Sequence, residues 1–259
     1  MPLRRGFSTE CPPPGPASVN LILFASPELD RPLAAGDPRA RHLREVLRCA
    51  PGGTFDLGVV DGPRGKGRVD AITSDGGIQF SVTLGTPPPP LSPLQLVIGL
   101  PRPQTVRKIL QECTALGVAA LHFVSTARAD PNYALSALWS SGEWRDRLRE
   151  GAQQAFCTRL PAVTSGRSLA GMLAGAPAGG IRLALDNYEA AAPLATVALP
   201  DAPVTAWLAF GPERGWDQED RDALRAAGFS LVHLGARVLR TETACVAATA
   251  ILKARLGWL

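Results

Sequence analysis

Two glycine turns carry the residues best spaced for chemistry. Gly211-Pro212-Glu213 follows an apolar run at 206–210, and Leu234-Gly235 closes another at 230–234. A third strand-like run, 181–185, ends at Leu185 and is followed by Asp186. Turns after the carboxyl ends of strands are where open α/β sheets place ligands. The spacing therefore points to one ligand met by backbone amides and carbonyls from converging turns. Other chemistries lack their residues. GPERG is not the dinucleotide pattern G-x-G-x-x-G, and neither a G-x-x-x-x-G-K-[ST] loop nor a G-x-S-x-G elbow is present. His42, His122 and His233 and the five cysteines stand at no zinc spacing, so no metal is expected.

The elements around these turns repeat a strand–turn–helix order. Asp217 is suited to cap a short helix, with Asp220 complementing its positive end and Gly228 stopping it. Thr241-Glu242-Thr243 then supplies capping oxygens for a helix running nearly to the C-terminus. Upstream, 94–100 and 119–124 read as strands. The stretch 105–116 reads as a helix with Val106, Ile109, Leu110, Cys113 and Leu116 inward, and 142–158 as another. About five strands with helices between them predict a mostly parallel sheet covered on both faces.

Four consecutive prolines within 86–93 mark a stiff boundary. Before it, 1–18 reads as a tail and 19–24 as a strand. The stretch 37–48 reads as a helix with Leu43, Val46 and Leu47 inward and Arg39, Arg41, Arg44 and Arg48 outward. Strand-like segments at 54–60, 67–73 and 78–84, joined by Asp61-Gly62 and Asp75-Gly76-Gly77 turns, predict a small β-barrel.

The wording of the turns is more specific than their order. GPERGW, followed by HLGARVLRTETA, resembles the small-subunit ribosomal RNA uridine-N3 methyltransferases of the SPOUT superfamily. That family reads GPEGG and then LG-x-R-[IV]-LRTETA, and the second phrase stands whole here from Leu234 to Ala244. HLREVLR-x(3)-GG, beginning at His42, looks like the family's N-terminal PUA-like RNA-binding barrel. The resemblance spans 19–259 and is strongest at the end. It implies a PUA-like barrel over 19–88 and, over 89–259, a trefoil-knotted, mostly parallel α/β domain. It also implies a cytoplasmic homodimer using S-adenosylmethionine (SAM) to methylate uridine N3 in 16S ribosomal RNA, free or in the 30S subunit. The alternatives are a non-catalytic RNA-binding paralogue and an enzyme with a shifted RNA target.

Carried over residue by residue, the resemblance gives SAM to Leu185, Asp186, Gly211, Pro212 and Glu213 on the first turns. Leu234, Gly235, Val238, Leu239, Arg240 and Thr241 complete the cofactor set. Loss of the N3 proton leaves negative charge on the uracil carbonyls, which an arginine would stabilise. Arg240, inside LRTET, and Arg159, which matches the second arginine of the family's EQ-x(2)-R-x-R-x-P, are the candidates. Glu213 is the third catalytic candidate; it and Glu242 are the nearest carboxylates, and neither is assigned as the base. Arg39, Arg41, Arg44 and Arg48, with Arg128 and Arg214, are the expected RNA contacts. Phe156 and Trp216 are stacking faces or core.

The chain also departs from the pattern. Ala115, Gln153 and Cys157 are neutral where the family is charged, and Arg214 replaces a glycine. A coupled loss of carboxylate and arginine would place Ala115 beside Cys157, with Arg214 restoring the positive charge beside the substrate.

Composition sets only broad bounds. The chain has 259 residues, 46% hydrophobic and 19% charged, which is globular. Only three of 27 basic residues are lysines and the net charge is +4. Arginine suits phosphate recognition, but the same bias follows from a GC-rich genome. Cys11, Cys49, Cys113, Cys157 and Cys245 read as reduced thiols of a cytoplasmic protein. No apolar run of 18 residues and no leader pattern is evident, so a soluble protein without a membrane partner is expected.

Overall fold

The computed structural model describes residues 21–177, 179–200 and 205–259. The expected tail at 1–18, Cys11 and the start of the strand at 19–24 lie outside them. Toward the N-terminus come β1 (Ile22–Phe24), α1 (Pro38–Arg41), β2 (Thr54–Val59), β3 (Arg64–Ile72) and β4 (Ile78–Leu84). They form a four-stranded sheet in the order β1-β2-β3-β4, parallel between β1 and β2 and antiparallel thereafter. Leu33 bridges Ile78 on β4. Phe24, Leu43, Leu57, Val69 and Ile78 form its core.

One inward assignment fails here. The helix that starts at α1 continues as a π-turn over His42–Val46, with Leu47 N–H donating to the His42 carbonyl. A π-turn inserts one extra residue, which rotates the side chains after it around the helix axis. Leu43 is fully buried, whereas Val46 is 62% exposed.

After the proline segment come β5 (Ser92–Gly99), α2 (Pro103–Ala115), β6 (Val118–Ser125), α3 (Ala137–Ser140) and α4 (Glu143–Gln154). Next are β7 (Ala162–Ser168), α5 (Leu169–Ala174), β8 (Ile181–Leu185), β9 (Ala192–Pro193) and β10 (Ala206–Phe210). The chain closes with α6 (Gln218–Ala226), β11 (Ser230–His233) and α7 (Thr241–Leu256). Seven strands, rather than about five, pair all-parallel in the order β7-β6-β5-β10-β8-β11-β9.

Both sheet faces are apolar, as a covered parallel sheet requires. Leu94, Leu96 and Ile98 of β5 share one core with residues of α2, α4 and α7, while Val97 joins Trp207, Leu224 and Met172 on the other face. Gly151 lets α4 approach α2 closely: a Cβ there would lie 2.2 Å from the Gln111 carbonyl oxygen. The two sheets meet where Leu21 and Leu23 pack against Ala152. Thr158 Oγ1 donates to the Gly62 carbonyl at 2.6 Å across the same junction. Lys253 of α7 donates to the Leu116 carbonyl at 2.5 Å, satisfying the end of α2. No described helix is long and apolar enough to cross a membrane.

Candidate functional site

All seven strands of the larger sheet point the same way, so the loops after β8, β10 and β11 emerge at one edge. They enclose a cleft of about 420 Å³. Leu185, Asp186, Gly211, Pro212, Glu213, Leu234, Val238, Leu239, Arg240 and Thr241 all line it, as the sequence leads one to expect. Gly235 belongs to the same loop but does not line the cleft. A Cβ on Gly235 would meet nothing within 4 Å, so the position needs glycine for its φ of +106°, not for space.

Each loop is held from behind. Asp186 Oδ1 accepts from the amides of Tyr188 at 2.8 Å and Glu189 at 2.6 Å, folding the loop after β8. Its Oδ2 accepts from Arg221 Nε of α6 at 2.9 Å, in an ion pair whose side chains are 2% and 8% exposed. The Asp186 carboxylate thus organises the loop, while the residue itself stays in the lining of the cleft. Trp216 is 1% exposed and donates from Nε1 to the Leu185 carbonyl at 3.0 Å; it is core, not a stacking face. In the second loop a Cβ on Gly211 would lie 2.9 Å from the backbone of Gly215. Only glycine lets the loop double back there.

Glu213 spans two elements. Its Oε1 accepts the Arg102 amide at 3.0 Å, at the N-terminus of α2, with the Arg102 guanidinium 3.5 Å away. That contact satisfies a helix-end donor and suits a negative group electrostatically. The third loop ends at Arg240, the N-cap residue of α7. Arg240 is exposed, and its guanidinium has no hydrogen-bond partner among the described residues. Glu242 pairs with Lys108 of α2 at 3.0 Å. Burial would raise its carboxyl, but its own amide, Lys108 and Arg240 outweigh that and hold it below the ordinary range. Asp217 and Asp220 cap α6 reciprocally, at 2.7 Å and 3.4 Å.

Sequence reasoning missed Arg102, Thr105, Asn187, Tyr188 and Arg237, which also line the cleft. Arg102 had a signal, as it sits between prolines directly after a strand. Tyr188 and Asn187 had only their place after Asp186.

Other expected site residues lie elsewhere. Arg159 follows Thr158, whose carbonyl accepts the Asp61 amide at 2.8 Å, so it sits at the junction of the two sheets. That is the opposite edge of the larger sheet from Arg240; a single chain does not bring them together. Ala115, the last residue of α2, and Cys157, just past the end of α4, occupy this edge too, whereas Arg214 lines the cleft. Within one chain Arg214 therefore does not lie beside them, and its charge stands at the cleft instead. Phe156 lies at the junction, with the Arg64 guanidinium 5.2 Å from its ring.

The four arginines around α1 divide into two pairs. Arg39 is engaged by Glu28 at 2.9 Å and Asp37 at 2.8 Å and lies over the Phe24 ring. These carboxylates raise its pKa, and their own are lowered by it. Arg44 donates to the carbonyls of Gly76 and Ala35. Both side chains brace the fold instead of pointing outward as expected. Arg41 and Arg48 are exposed.

A family model described as an RNA methyltransferase domain matches residues 87–253. Ribosomal RNA small subunit methyltransferase E of Treponema pallidum is 32% identical over 244 residues, covering 91% of each chain. The protein of that name from Synechocystis is 30% identical, covering 83% of this chain and 70% of its own. Among solved structures, the Neisseria gonorrhoeae ribosomal RNA small subunit methyltransferase E bound to S-adenosyl methionine superposes with a TM-score of 0.74. Its identity is 22%, with 91% of this chain and 97% of that one covered. The chain belongs to the ribosomal RNA small subunit methyltransferase E family.

Proposed function

We propose that this chain is an S-adenosylmethionine-dependent methyltransferase that modifies N3 of a uridine in 16S ribosomal RNA. The observation that carries the reading is the closing of three strand-end loops around one cleft, in a chain of this family. The cleft's volume falls within the range of small-ligand sites, roughly 300–1,000 Å³. Leu185, Phe210, Leu234 and Leu239 offer an apolar wall for a flat ring, and backbone groups of the three loops offer polar contacts. The carboxylates of Asp186, Glu213 and Glu242 already have cationic partners. Arg237 and Arg240 bring positive charge to the cleft, suited to a carboxylate or to RNA phosphate.

When bound, the cofactor supplies an electrophilic methyl group. The protein's share is to present uridine N3 in line and to favour loss of its proton. Negative charge then gathers on the uracil carbonyls, and the Arg240 guanidinium at the head of α7 stabilises it. Val238 and Leu239, on the exposed lip, exclude water when substrate covers them.

The finer reading includes a knot through these three loops. It is supported by β10 and β11 flanking β8 while α7 turns back to pack on α2. The N-terminal sheet is read as a PUA-like RNA-binding barrel, supported by exposed Arg41 and Arg48. A cytoplasmic homodimer acting on 16S RNA or the 30S subunit completes the reading. Mass spectrometry of 16S RNA from a strain lacking the protein tests it. One methyluridine should vanish and return with protein and SAM; an unchanged modification pattern refutes the activity.

A further inference from the structure

A second cleft, of about 480 Å³, adjoins the first and shares Arg102, Glu213 and Arg214 as a common wall. Its far side is the segment after β6, with Arg128, Asp130 and Tyr133. We propose that this second cleft is the acceptor pocket, holding a pyrimidine nucleotide with its ring on Tyr133 and its phosphate on Arg128 and Arg214. The inference rests on the methyltransferase reading, which requires acceptor and methyl donor to be neighbours.

The wall between the clefts is tied on both sides. Arg128 Nη1 donates to the Arg214 carbonyl at 3.0 Å, linking the segment after β6 to the loop after β10. Glu213 ties the same loop to the Arg102 amide at 3.0 Å. A nucleotide in the second cleft is therefore separated from the first by the Arg102, Glu213 and Arg214 side chains. The Arg214 guanidinium is exposed and has no hydrogen-bond partner among the described residues.

The acidic residues do not disqualify an anion. Glu213 is paired with Arg102, and Asp130 Oδ1 accepts the Asn132 amide at 2.9 Å. Tyr133 is half-buried and packs against the core of the larger sheet. A ring backed in that way is a rigid stacking platform, and every base has a π-face to lay on it. Guanidiniums beside an aromatic ring are the pairing used to hold single-stranded nucleic acid.

Fluorescence anisotropy of a short labelled oligouridylate, measured without cofactor, tests the site. Tyr133→Ala should weaken binding roughly 5- to 150-fold, the range of one base–aromatic stack. Tyr133→Phe should stay within about twofold of wild type, because the stack survives. Arg214→Ala should reduce the slope of log K against log salt by about 0.7, one phosphate contact on a single strand. Calorimetry with SAM on Tyr133→Ala checks the fold, because Tyr133 does not line the first cleft. A Tyr133→Ala protein that binds SAM and oligouridylate as wild type does overturns the proposal. So does an Arg214→Ala protein with an unchanged slope, which decides the matter if Tyr133→Ala does not fold. Wild-type protein that binds RNA through Tyr133 yet transfers no methyl group supports the pocket and refutes only the enzymatic reading.

Discussion

Breaking the Asp186–Arg221 pair should unfasten the cleft unequally, depending on which partner is removed. In Arg221→Met the Asp186 carboxylate stays buried with only two amide donors, from Tyr188 and Glu189. Removing one partner of a buried pair costs about 3–5 kcal/mol. With side chains only 8% and 2% exposed, solvent screening offers little discount. In Asp186→Asn the amide oxygen can still accept both backbone bonds, and Arg221 retains Glu189 at 3.7 Å. That variant should lose only about 1–3 kcal/mol, the range for a compromised charged hydrogen bond. Urea denaturation of both single variants and the double variant gives the comparison. The double variant should be less damaged than the sum of the singles, with a coupling of roughly 0.5–3 kcal/mol. Arg221→Met within about 0.5 kcal/mol of wild type, the ordinary surface value, would refute the reasoning.

Gly211→Ala should abolish measurable SAM binding by calorimetry, because its Cβ would drive the Gly215 backbone out of the loop. Replacing exposed Arg41 and Arg48 should lower the RNA salt slope by roughly 0.7–0.9 per contact. Arg39→Ala should instead lower thermal stability, since Glu28 and Asp37 lose their partner. His122 is buried between Gln95 and Thr164 and stacks on Trp207, and burial, with Arg167 nearby, lowers its pKa. The unfolded chain therefore takes up this proton first, so the His122 contribution is complete above about pH 6.5 and is lost as pH falls toward the folded value. Urea midpoints between pH 7 and 5 should fall more steeply for wild type than for His122→Gln.

Much of the cleft was legible because its signals are local. The apolar runs at β8 and β10 match their sequence boundaries, whereas α7 already contains Thr241–Thr243, read as its caps, and has Arg240 as N-cap with no side-chain cap bond. A turn phrase such as LRTETA names its own neighbours. What escaped was whatever depends on a distant partner. The ion pair of Asp186 with Arg221, on another element, leaves no mark in the spacing. Strand β7 is nearly all exposed and polar, with no alternation to announce it, and only its pairing with β6 makes it a strand. Val46 faces water because one π-turn adds a residue that periodicity does not count. Arg159 and Arg240 both carried a plausible role, but spacing along the chain cannot say which edge of a parallel sheet each occupies.

The position of β10 between β5 and β8 also bears on how the protein is made. β5 ends at Gly99, yet its second neighbour begins only at Ala206. At about 5–20 residues per second of synthesis, that edge waits on the order of 5–20 s. During the interval Leu94, Leu96 and Ile98 border an unpaired row of amides and carbonyls, which is a template for pairing with another nascent chain. Ribosomes stalled before residue 206 should therefore carry chains that recruit holdase chaperones, and codons that slow translation between β8 and β10 should cost soluble yield more than those placed after α7 has begun.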